Sequence, residues 1–372
     1  MDFIHKKLTE RKEGGVLRTL KHSVGKIDFS SNDYLGLASN VVLAEEIEKK
    51  FSTQFSTALN GSAGSRLLAG HHPYYDQVEK QLAEFFNAEA VLIFNSGYVA
   101  NLAVLSSVPQ KGDTIIMDEY IHASLKDGAR LSFASKFSFR HNDLVDLENK
   151  LRKAEGNKFI VIETLYSMDG DFAPLEAIVQ LSKQYDAQMV VDEAHTTGIY
   201  GHGGNGFLNE KNLATAISFK VYTFGKAMGI HGACIAGSAA LKEYLINFAR
   251  PFIYTTAMSP HSFVAVASAF EYVSSHAALR EPLFQNITFW NDQTQGIEGF
   301  SHNESPIQTY RCAGNDAVKK LAEHIQAKGY DVRPILSPTV PAGAERLRIC
   351  LHAFNTKQEI QGLINTIQSF YE

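Results

Sequence analysis

The chain has 372 residues, 45% of them apolar and 20% charged, with a net charge of -5 and a pI near 6.3. Its length implies two to three lobes of about 150 residues, and its mild acidity leaves no basic footprint for nucleic acid or for an anionic membrane surface. Cys234, Cys312 and Cys350 are odd in number and far apart, which suits reduced thiols in the cytoplasm rather than a disulfide framework, and no run approaches the ~18 apolar residues of a membrane span.

The opening MDFIHKKLTERKEGG is charged and lacks an apolar signal core. It predicts a polar amphipathic helix within residues 1–25 that breaks at Gly14-Gly15, followed by a short segment containing Arg18. Ile27 to Leu37 reads as a short strand running into the polar turn Ser30-Ser31-Asn32-Asp33, because Asn and Asp side chains bond nearby backbone. A helical period covers Val41 to Thr57. The small-residue loop Gly61 to Gly70 then lets another backbone or a ligand approach closely. His71 and His72 are adjacent, so they point in different directions and lack the spacing of a metal pair; no metal site is expected. A helix over 73–87 leads to a strand at Ala90–Phe94, and Asn95-Ser96-Gly97-Tyr98 opens the next helix. Strand, Gly turn and helix N-terminus together make an anion site, because unpaired N–H groups and the helix dipole point at the ligand.

A strand at Thr114–Met117 is followed after one short loop by His122. Next come a strand at Phe159–Glu163, a turn from Tyr166 to Asp171, a helix from Leu175 to Tyr185, and the apolar run Gln188–Val191, which ends on Asp192. Strands separated by helical patterns imply a mostly parallel sheet with right-handed crossovers. A carboxylate at a strand's C-terminal end faces the crevice where such sheets bind ligands. Asp192, His195 three residues on, and Lys226 in a Gly-flanked turn suit pyridoxal phosphate (PLP). A lysine amine forms a Schiff base with its aldehyde, a carboxylate keeps the pyridine nitrogen protonated, and a histidine can bond the ring oxygen. A strand-end Asp is often only a helix cap, and a Gly-Lys turn often only solvated, so these residues need context.

Two literal motif matches fail on context. Gly201 to Gly206 fits G-x-G-x-x-G but follows a polar loop rather than a strand, and Gly225-Lys226 precedes Ala227 where a Walker loop needs Ser or Thr. Further on, Ala233–Gly237 is a strand with a helix through Phe248, and helical patterns fill 261–297. From Glu304 the style becomes α+β, with strands near Ile307, from Tyr330 to Ile335 and at Arg346–Leu351, and helices from Asn315 to Lys328 and at the C-terminus. The organisation expected is an N-terminal arm (1–40), a large α/β PLP-binding domain (41–275) and a small C-terminal α+β domain (276–372).

In chain order, SSNDYLGL, GSAGSRLLAG, NSGYVAN, IHASLKDGARLS, LYSMDGDFAPL, VVDEAHTTGIYG, TFGKAMG, FIYTTAMSP and PTVPAGAERLRI closely resemble the α-oxoamine synthases over almost the whole chain. These are PLP enzymes of fold type I that condense an amino acid with an acyl thioester, releasing CO2 and the free thiol. The resemblance implies that Lys226 is the Schiff-base lysine and the base for the α-proton, that Asp192 pairs with the pyridine nitrogen and that His195 pairs with the ring oxygen. It also implies that Gly97, Tyr98, Ser167 and Thr223 bind the cofactor, that Thr255 or Thr256 reaches a phosphate across the interface of a homodimer, and that His122 stacks on the ring. Arg348 would hold the amino-acid carboxylate, and Arg18, Asn32 and Thr339 match other substrate-contacting positions.

PTVPAGAERLR and the compact length are most similar to the members that join L-alanine to a pimeloyl thioester, carried on CoA or on a carrier protein. Members that take glycine or serine share the chemistry. The segment between Arg18 and SSNDYLGL is shorter than usual for the family, His231 stands where small residues are common, and Cys350 stands where a hydroxyl residue is frequent. A Rossmann oxidoreductase would need a nicotinamide site, and a non-catalytic binding subunit would need a broken one, whereas Lys226, Asp192, His195 and His122 are all present.

Overall fold

Val, Ile and Phe recur in runs of about five residues between helical segments, the pattern of strands buried on both faces. In the computed structural model, which describes residues 1–20, 22, 24–55, 57 and 60–371, these runs build a seven-stranded sheet. Its spatial order is Ala90–Phe94, Ala233–Gly237, Phe219–Thr223, Ala187–Asp192, Lys158–Glu163, Thr114–Asp118 and Ser135–Phe139. Ala233–Gly237 runs antiparallel to both of its neighbours, and every other pairing is parallel. The mostly parallel sheet is therefore present. Ile160, Val161, Val190, Val191 and Val221 are fully enclosed, each such side chain contributing about 1.5–3 kcal/mol of burial.

The strand Ser135–Phe139 is absent from the sequence expectations. Four of its five residues are exposed and it closes one edge of the sheet, so it carries no apolar run to betray it. The helix expected over 41–57 spans Val41–Gln54, and Ser56 lies outside the described residues. Asn40 caps that helix by accepting from Leu43 N at 2.9 Å.

The chain divides into two compact units. The larger comprises Leu35–Ser167 and Phe172–Arg280, and contains the sheet; the smaller comprises Met1–Tyr34, Met168–Asp171 and Glu281–Glu372. Within the smaller unit, the helix Asp2–Glu13 buries none of its residues and ends at Gly14. An antiparallel sheet is ordered Arg333–Ile335, Arg346–Cys350, Ile307–Arg311, and Ile27–Asp28 pairs in parallel with Tyr330–Asp331. The last helix, Lys357–Gln368, starts with a reciprocal capping box between Thr356 and Glu359. Among the described residues no helix is long and apolar enough to cross a membrane.

Candidate active site

The parallel strands place their C-terminal ends, Phe94, Asp118, Glu163, Asp192 and Thr223, along one edge of the sheet. Lys226 lies in the loop that leaves Thr223 and returns into Ala233, hence on that same edge, and it is half-buried rather than solvated. Backbone bonds fix this loop: Phe224 N donates to Gly232 O at 2.9 Å, Ile230 N to Phe224 O at 3.0 Å, and Gly229 N to Lys226 O at 2.9 Å. Gly229 has φ +65°, and any Cβ there would collide with the backbone of Leu37 and Ala38.

Asp192 is 4% exposed. Its Oδ2 accepts from Asn101 Nδ2 at 2.7 Å and its Oδ1 from Ala194 N at 2.8 Å. Asn101 Nδ2 also reaches Ser124 Oγ at 3.0 Å, and Ser124 Oγ lies 2.7 Å from His122 Nδ1. Ser124 N donates to the same Nδ1 at 3.2 Å, which leaves the proton of a neutral ring on Nε2. Burial lowers the His122 pKa, the charge of Lys226 works in the same direction, and that of Asp192 opposes it. Glu163 faces Asp192 in register and accepts from His122 N at 2.5 Å. Burial first, and then the charge of Asp192, push the Glu163 carboxyl up to about 8.

His195 is buried in the turn after Asp192, where Thr196 N and Thr197 N donate to Glu193 O at 3.1 and 2.9 Å. Glu193 takes the N–H groups of Phe207 and Leu208 at 2.8 and 2.7 Å. The donors that follow the G-x-G-x-x-G match are thus occupied, and the helix beyond it, Phe207–Glu210, has four residues. No dinucleotide cradle exists there.

At the head of the helix Gly97–Ser107, Ser96 caps Val99 N at 3.3 Å. A Cβ on Gly97 would lie 2.5 Å from Thr223 Cγ2, so only glycine lets this helix start against the end of the Thr223 strand. Asn95 Nδ2 donates to Thr256 O at 3.0 Å, bringing the Thr255-Thr256 stretch to the same corner. Tyr98 is 44% exposed, its hydroxyl bonds Asp127, and its ring stands edge-on to His122 with centroids 6.4 Å apart. Ser167 is half-buried just beyond the Glu163 strand. This donor set fits PLP: a glycine-permitted helix N-terminus with Thr223 beside it for a phosphate, a buried carboxylate, two histidines and an amine. By contrast, His71 Nε2 pairs with Asp76 at 3.0 Å, and His72 caps Tyr74 N at 3.1 Å.

In the smaller unit, Arg348 Nη2 donates to Asn32 Oδ1 at 2.9 Å and Arg348 Nη1 to Cys350 Sγ at 2.9 Å. Tyr34 OH donates to Asn32 Oδ1 at 3.2 Å. Arg348 and Asn32 are therefore brought together, with Cys350 as a sulfur acceptor in place of a hydroxyl. Arg18 and Thr339 are exposed in the same unit, and His231 is exposed on the Lys226 loop.

The sequence pattern described as "Aminotransferase class I and II" matches residues 24–367. The chain belongs to this family. Among its relatives, the 8-amino-7-oxononanoate synthase of Lysinibacillus sphaericus is 38% identical, over 91% of this chain and 87% of that protein. The one from Emericella nidulans is 37% identical, over 93% and 89%. Serine palmitoyltransferase from S. paucimobilis, solved with a PLP–myriocin aldimine, superposes with a TM-score of 0.88 at 26% identity, covering 99% of this chain and 96% of that one. The 8-amino-7-oxononanoate synthase of Francisella tularensis superposes at 0.81 with 30% identity, covering 93% and 98%.

Asn101, Ser124, Glu163 and the Asp118–His141 pair line this site without being expected from the sequence. Asn101 closes the NSGYVAN motif and Glu163 ends an apolar strand, as Asp192 does. A carboxylate ending an apolar strand is the sequence signal that Glu163 shares with Asp192.

Proposed function

We propose that this chain is a PLP enzyme that condenses L-alanine with a pimeloyl thioester to give 8-amino-7-oxononanoate, CO2 and the free thiol. The supporting observation is the convergence of Lys226, Asp192 and His122 on one sheet edge, in a chain 36–39% identical to proteins named for that product. When bound through Lys226, PLP supplies an electron sink for negative charge at the amino-acid α-carbon.

Asp192, held by Asn101 and the Ala194 N–H, would pair with the ring nitrogen, and His195 would bond the ring oxygen. His122, neutral in its buried position, would lie against the ring. Gly97, Tyr98, Ser167 and Thr223 would bind the cofactor, with Thr255 or Thr256 reaching the phosphate of a partner protomer in a homodimer. Arg348, oriented by Asn32 and Cys350, would grip the alanine carboxylate, while Arg18 and Thr339 would contact substrate. Fixing the carboxylate would orient the α C–H bond, and Lys226 Nζ would take its proton. The α-carbon then attacks the thioester carbonyl, the thiol leaves, the carboxylate departs as CO2, and the α-carbon regains a proton. Three buried free thiols support a cytoplasmic setting.

A second reading, serine palmitoyl transfer, is favoured by the higher TM-score of the S. paucimobilis enzyme. Free-thiol release should be followed with alanine, glycine and serine, each against pimeloyl-CoA, a pimeloyl carrier protein and palmitoyl-CoA. Release with alanine and a pimeloyl donor is the expected result. A serine–palmitoyl preference replaces the reaction named above, and the absence of any PLP absorbance removes the cofactor reading itself.

A further inference from the structure

Three neighbouring strands end in buried carboxyl groups, Asp118, Glu163 and Asp192, which are 0%, 2% and 4% exposed. The Glu163 strand lies between the other two. Three adjacent anions in so enclosed a place would repel strongly, so their partners decide which of them ionise. Asp118 is well supplied: His141 Nδ1 lies 3.0 and 3.1 Å from its two oxygens, and Tyr120 N and Asn142 N donate to it at 2.8 and 3.0 Å. Asp192 has Asn101 and the Ala194 N–H. Glu163, the middle group, accepts the backbone N–H of His122.

We propose that Glu163, lying between two other buried carboxyl groups, is a positioning residue that works as a carboxylic acid and fixes the start of the His122 helix. This rests on the PLP reading of the same edge. The groups that face Glu163 are Asp118 on one side and Asp192 on the other, His122 from its helix, Lys226 from its loop, and Tyr166 from the turn after its own strand. Burial and the charge of Asp192 together outweigh Lys226, so the acid form persists up to about pH 8. Above that, a further anion arises beside Asp192 and tightens its hold on the His122 N–H, shifting the start of the helix that carries His122.

The test uses the PLP-loaded protein and two readouts. In the wild type the His122 amide resonance should shift with a midpoint near pH 8, and kcat/KM should fall about tenfold between pH 7 and pH 9, as for a single ionisation. Glu163→Gln, a neutral mimic, should abolish the amide shift and flatten that limb. A His122 amide that is flat across this range in the wild type overturns the proposal, and this measurement needs no variant to fold. An unchanged alkaline limb in Glu163→Gln overturns it as well. If no substrate pair is turned over, the function reading falls, while the amide titration still decides the state of Glu163.

Discussion

Asp192 was legible because it ends a plain apolar run, His195 because it stands three residues on, and Lys226 because it sits in a Gly-flanked turn downstream. Asn101 and Glu163 were not, because their roles depend on which strands lie side by side, and sequence order does not give the register that sets Glu163 against Asp192. The difference can be tested residue by residue. Lys226→Ala should keep weak PLP binding but lose the absorbance of the lysine-linked cofactor, and turnover should fall at least about a thousandfold, since nucleophile and base vanish together. Asn101→Ala removes a hydrogen bond to a buried anion, worth about 1.5–3 kcal/mol. PLP affinity measured by equilibrium titration should fall roughly ten- to a hundredfold with the fold intact. Arg348→Ala should raise the KM for the amino acid by a similar factor and leave PLP affinity nearly unchanged; equal loss of both would contradict a carboxylate-gripping role.

Among the elements, the buried strands with continuous apolar runs could be placed to within a residue or two, whereas the equally buried Phe219–Thr223 escaped because Lys220 interrupts its run. Ser135–Phe139 escaped because an exposed edge strand has no such run. The head of the Gly97 helix is the element most sensitive to a single atom. Gly97→Ala sets a methyl 2.5 Å from Thr223 Cγ2, and relieving that overlap should cost about 1–3 kcal/mol. The expected outcome is weakened PLP binding together with a lowered Tm; unchanged affinity would mean that the helix start is not part of the phosphate cradle.

For the molecule as a whole, the sequence suggested a large α/β body and an α+β lobe, but it carried no sign that residues 168–171 group with the C-terminal unit. That grouping depends on contacts such as Asn303 Nδ2 to Asp169 O at 2.7 Å and the Arg346–Asp169 ion pair. Global stability should also respond to Glu163. Its carboxyl titrates near the ordinary glutamate value, about 4.3, once the chain is unfolded, and near 8 when folded. The native state therefore binds the extra proton across that window, and unfolding free energy should decline as pH rises through it. Denaturant titrations of the wild type and Glu163→Gln from about pH 5 to pH 8 should show a smaller decline in the variant.

The Arg348–Asn32 contact joins residues 316 positions apart. At about 5–20 residues per second on a ribosome, Asn32 waits roughly a quarter of a minute to a minute for its partner to be made. The pair proposed to grip the amino acid thus cannot assemble until the long stretch of chain between its two halves has been made. A prematurely released chain ending before Arg348 would retain the lysine and the carboxylates of the PLP edge without that grip on the amino acid.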